Sequence, residues 1–295
     1  MTSIEIFETG RTAEIPASWD EMTPTQICRV FQMFEACVAA GKSPLEFNVR
    51  VLYYFLGLEV NAWEIGAAAA DRESFTKRDE NIFRLCDGCL GFLFDGDTHH
   101  LAFSSVRNPL PEVNVGFTRL IGPGDILQDL TFGEFRHASS ALNSFFRSRE
   151  ENDLDECIAF LYRRASLREN RAGRRVRPIS SGKFADDIRV VSGMASWQKN
   201  LIMMWFAACL KYLQEEKISI DGELIDMRLL FSGDGESSGP AFGWNDLLVE
   251  IAKEQSVGTM EQVEEQPLFT IISIMWHNYK ERKRYEQNVK NHKTR

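Results

Sequence analysis

Side chains that staple, ligate or cleave are scarce in these 295 residues, and each shortage excludes something. No apolar run reaches the roughly 18 residues a membrane span requires; the longest candidate, 201 to 210, is flanked by Lys199 and Lys211. The first ten residues carry Glu5 and Glu8 where a secretory signal needs a basic and then an apolar stretch, which implies a cytoplasmic protein. Six cysteines (Cys28, Cys37, Cys86, Cys89, Cys157 and Cys209) fall mostly on apolar helical positions, the pattern of reduced core thiols and not of a disulfide framework. With five histidines and no Gly-x-Ser-x-Gly elbow, a Ser-His-Asp nucleophile has no support. Gly233-x-Gly235-x-x-x-Gly239 lacks a lysine and carries Asp234 and Glu236, which suits a linker and not a phosphate loop. There is neither internal repeat nor long low-complexity segment. No enzyme activity, catalytic residue, metal or cofactor is therefore expected.

What is abundant is helix signal. Thr23-Pro24-Thr25-Gln26 and Thr131-Phe132-Gly133-Glu134 are capping boxes, Ser43-Pro44-Leu45-Glu46 is a similar start, and Thr259-Met260-Glu261-Gln262 repeats the box. Behind them run apolar stripes at helical spacing, Ile27, Val30, Phe31, Phe34 and Val38 in the first and Leu45, Val49, Leu52, Tyr53 and Leu56 in the second. Trp197 to Leu213 is apolar nearly all round, which predicts a buried helix. Between Phe92 and Ile121 the period shortens: Phe92-Leu93-Phe94, an Asp95-Gly96-Asp97 turn, Leu101-Ala102-Phe103, and a further strand from Phe117 to Ile121. The fold class is mainly α, a multi-unit helical protein with a small β-hairpin insertion at about residues 92–121. The expected units are 1–150 with that insertion, 151–232 around the helix 197–213, a linker at 233–241, and a C-terminal helical unit at 242–295 with a basic tail.

Cys86-x-x-Cys89 followed by His99 and His100 is the one cluster of metal-like residue types, but it has no second Cys pair and sits on an apolar stripe. Charge is more informative. The net of −9 hides seven arginines between Arg163 and Arg177 against Glu169, and seven basic residues after Tyr279 against Glu281 and Glu286, leaving −20 on the rest. Arg168, Arg171, Arg174, Arg175 and Arg177, with Lys280, Lys283 and Arg284, form the candidate basic patch for acidic surfaces of a partner, of another copy, or for nucleic acid. Large anchors crowd the C-terminal stripes, and Trp244, Leu248, Ile251, Phe269, Ile272, Trp276 and Tyr279 are the candidate partner-binding residues. An ordinary internal helix-helix core would use the same residues.

Phe242-Gly243-Trp244-Asn245-Asp246-Leu247-Leu248-Val249-Glu250-Ile251-Ala252, with Pro267-Leu268-Phe269, resembles tail-assembly proteins of temperate phages and prophages of Bacteroides-type bacteria. Ile15 to Pro24 and Ile158 to Arg163 resemble the same group, so the similarity touches about half the chain. The nearest role in that group is the tail assembly chaperone, which implies a helical, non-catalytic protein binding tape measure and tail tube subunits. This chain is longer than such chaperones, and its N-terminal unit has no counterpart among them. Two alternatives stay open: a structural virion component, and a nucleic-acid-binding regulator acting through the arginine-rich segment.

Overall fold

The computed structural model describes residues 1–6, 10–58, 77–96, 100–164, 184–231, 251–252 and 258–293. Helices dominate, with small antiparallel sheets between them. The described residues gather into two compact units, Met1–Leu110 with Ala195–Trp205, and Pro111–Met194 with Phe206–Arg295. From sequence the first edge was expected at 150. It falls at Leu110 because each unit is completed by a segment far along the chain, which local composition does not register.

In the first unit, β1 (Thr2–Ile6) and β2 (Arg11–Ile15) form a hairpin, followed by α1 (Pro24–Ala39), α2 (Pro44–Leu56) and α3 (Lys77–Leu90). The Thr23 box closes as expected: its hydroxyl accepts from the Gln26 amide while Gln26 Oε1 accepts from the Thr23 amide at 2.8 Å. Ser43 caps α2, and Gly57 ends it in the left-handed conformation, φ 65°, that glycine adopts without strain. The core is aromatic. Trp19 packs against Phe31, Phe92 and Phe103 with ring centroids 4.8–5.9 Å apart, and Phe47 against Phe34 and Phe94. Leu201, Ile202 and Trp205 from the later segment are buried too, with Trp205 Nε1 donating to the Val106 carbonyl at 3.1 Å. Of the hairpin expected at 92–103 the described residues show one bridge, Phe94 to Leu101, with the Asp95 amide donating to the His100 carbonyl and the Ala102 amide to the Leu93 carbonyl, each at 2.9 Å, beside a 3-10 turn at Gly91–Leu93.

The second unit opens with the ladder of the expected β insertion, β3 (Glu112–Val115) against β4 (Thr118–Ile121), to which β5 (Arg163–Arg164) adds a short third strand. Phe117 lies in the turn, fully exposed, and not in the strand. Helices α4 (Phe132–Ser148), α5 (Glu151–Leu161) and α6 (Phe184–Ser192) follow. Next comes α7 (Ser196–Glu215), whose residues divide between the units at Trp205. It is fully buried along Leu201, Ile202, Trp205, Phe206, Cys209 and Leu213, while Met203, Met204, Ala207 and Ala208 are half-buried, so one face is closed completely and the other in part. A further hairpin, β6 (Lys217–Ile220) with β7 (Glu223–Asp226), turns at Asp221 and Gly222, φ 51° and 82°, the paired positive values of a type I′ turn. Helices α8 (Met227–Phe231), α9 (Met260–Glu264) and α10 (Leu268–Lys293) complete the unit. The linker at 233–241 lies outside the described residues. No helix of the described residues is long and apolar enough to cross a membrane.

Candidate functional site

The C-terminal stripe was expected to stand behind a free linker, but its first half is built into the second unit. The amide of Phe132 donates to the Gln266 carbonyl at 2.8 Å, and that of Leu268 to the Leu130 carbonyl at 2.9 Å. This clasp supplies partners for two backbone groups that helix starts otherwise leave unmet. Gly133 permits the approach, since a Cβ there would come within 2.9 Å of Glu264 Cβ. Arg136 then pairs with Glu264 across the same seam. Leu268, Ile271 and Ile272 are fully buried, Ile251 nearly so, and Phe269 half-buried.

One turn further along α10 the stripe emerges. Trp276 and Tyr279 are half-buried and stacked, centroids 5.5 Å apart with planes 14° from parallel. Glu223 at the start of β7 accepts a hydrogen bond from Trp276 Nε1 at 2.7 Å and another from Lys280 Nζ. Lys280 lies 5.9 Å from the Trp276 centroid and Lys283 5.8 Å from that of Tyr279. The hydrogen bond from Lys280, then that from Trp276, holds the Glu223 carboxyl below its usual range. Beyond this point α10 continues with Arg284 and Tyr285 exposed, the latter at 72%. The result is a stacked aromatic pair on one helix face, edged by Lys280, which pairs with Glu223, and by Lys283, 3.5 Å from Glu286.

Of the expected residues, the structure thus brings together Trp276, Tyr279, Lys280 and Lys283, and uses Ile251 and Ile272 inside the unit. Trp244, Leu248, Arg168, Arg171, Arg174, Arg175 and Arg177 lie outside the described residues. Arg163 and Arg164, counted with the basic segment, are tied inward: Arg163 is buried with Nε 3.1 Å from Glu134, and Arg164 Nε is 2.6 Å from Asp187. Glu223, 53 residues before Trp276, is the member that sequence reasoning missed, and no local signal marks it.

The reactive residue types are quiet. Burial, with Asp87 and Cys89 adding to it, pushes the Cys86 thiol up to about 12, and burial raises Cys157 and Cys209 further. Burial and Arg136 keep His137 below its ordinary value and hence neutral near pH 7. Among the described residues no three His, Cys, Asp or Glu side chains gather as a metal group. No protein-family model, curated protein or solved structure matches the chain.

Proposed function

We propose that this chain is a non-catalytic binding protein of phage tail assembly, a tail assembly chaperone or related morphogenesis factor that holds tape measure or tail tube subunits in the host cytoplasm. The observation that supports the reading best is the stacked Trp276–Tyr279 pair, half-open to solvent and flanked by Lys280 and Lys283. Tryptophan and tyrosine on a rigid element lose little conformational freedom when a partner covers them, and they dominate protein interfaces. The cations steer an acidic partner without supplying most of the affinity. The resemblance of the C-terminal segment supplies the process.

The test is whether a long, helical tape measure gene lies beside this one and, where it does, co-expression of its product with this chain. Covering one large aromatic contributes about 2 kcal/mol, so Trp276→Ala weakens capture about thirtyfold. Reversing Lys283 and Arg284 to glutamate slows association and loses its effect at high salt. Removing everything after residue 239 is a poor test, because it strips Leu268, Ile271 and Ile272 from the core. Unchanged solubility and co-purification with Trp276→Ala and Tyr279→Ala together would show that this face does not hold the tape measure protein.

A further inference from the structure

A second surface lies in the first unit, where α1 and α2 enclose a groove of about 240 Å³. Its lining comes from one face of α1 (residues 29, 32, 33, 36 and 37), from Ala40 that caps it, and from Lys42 and Arg50. The floor is apolar, formed by Met33, Ala36, Ala40 and the buried Cys37. Its rim is cationic. Lys42 Nζ stands 3.4 Å from Glu46, and Arg50 donates to the same carboxylate through Nε at 3.1 Å and Nη2 at 2.6 Å. That one buried acid therefore meets two cations, and Arg29 faces a neutral amide, Gln32 Oε1, at 3.4 Å. The rim keeps a net charge of +2 over an apolar floor.

We infer that this groove binds an acidic, amphipathic protein segment, laying its apolar side chains on Met33, Ala36 and Ala40 and its carboxylates against Arg29 and Lys42. The size favours a segment over a free metabolite: sites that enclose small molecules run from roughly 300 Å³ upward, whereas a helix-in-groove contact needs room for only a few side chains at a time. The charge chooses an acidic occupant, since like charges placed on this rim are repelled. Glu46 keeps the two nearer cations ordered. Burial pushes its carboxyl up, but the hydrogen bond and charge of Arg50, with Lys42, outweigh this and hold it ionised. The inference is independent of the α10 reading, which concerns the other unit.

The experiment is fluorescence anisotropy with the full chain and a labelled helical peptide that sets leucines between glutamates. The acidic peptide is expected to bind and its lysine-for-glutamate counterpart to fail. Arg29→Gln with Lys42→Gln, both exposed positions, weakens binding about tenfold, more at low salt than at high. Ala36→Trp, also at an exposed position, fills the floor and abolishes binding while the circular dichroism melt stays that of the parent. Equal binding of both peptides, unaltered binding by the double variant, or binding of a short DNA oligonucleotide in place of either peptide overturns the proposal.

Discussion

Glu134 uses each of its carboxylate oxygens for a different task. Oε2 accepts from the Thr131 amide at 3.1 Å and so closes the capping box of α4, while Oε1 accepts from Arg163 Nε. Both side chains are buried, and among the described residues Arg163 Nη2 has no hydrogen-bond partner. Removing the acid leaves a guanidinium uncompensated in the interior. Glu134→Ala is therefore expected to cost about 3–5 kcal/mol, far more than the roughly 1 kcal/mol of a lost cap, and a urea titration against Thr131→Ala separates the two. Replacing both Glu134 and Arg163 by leucine and methionine should recover most of the loss. A second residue-scale expectation concerns acid. The folded-state pKa of Glu46 lies below its ordinary 4.5, so its contribution is complete above that value and disappears as pH falls through the lower, folded-state pKa. Thermal melts from pH 6 downward should show Glu46→Gln with a shallower loss than the parent.

At the scale of elements, capping chemistry was the most legible part of the sequence. The Thr23, Thr131 and Thr259 boxes all close, and Ser43 caps α2, because the signal spans four adjacent residues and needs nothing from elsewhere. Hairpins were read less well. Asp221-Gly222 is the same turn dipeptide as Asp95-Gly96, but the apolar run of α7 just before it masks the alternation of β6 and β7, and β1 with β2 is too short and polar to stand out from an N-terminal segment. The turn carries a test: Gly222→Val forces a branched side chain to φ 82° and should cost about 1–3 kcal/mol. Pairings over long separations, Trp276 to Glu223 and Leu268 to Leu130, had no signature at all. At the seam between α4 and α9, Gly133→Ala puts a methyl within 2.9 Å of Glu264 Cβ and should loosen both, lowering hydrogen-exchange protection at Phe132 and Leu268.

For the whole chain, the unit boundaries were the least legible feature, because a discontinuous unit leaves no mark in composition. The first unit is complete only with Leu201, Ile202 and Trp205, and the second only when Gln266 and Leu268 reach Leu130 and Phe132. Deleting residues 258–293 should therefore destabilise the segment 111–164 and expose it to protease, although none of its own residues has changed.

That clasp between the Leu130 and Gln266 segments also sets a timetable for synthesis. At about 5–20 residues per second, the ribosome needs on the order of ten seconds or more after making Leu130 before Leu268 has been joined to the chain, and longer before it clears the exit tunnel. Throughout that interval the Phe132 amide waits for the Gln266 carbonyl and the Leu130 carbonyl for the Leu268 amide. The first unit waits in the same way for Trp205, so both cores are finished late in translation, and a nascent chain arrested before either point carries apolar surface of the sort that folding factors bind.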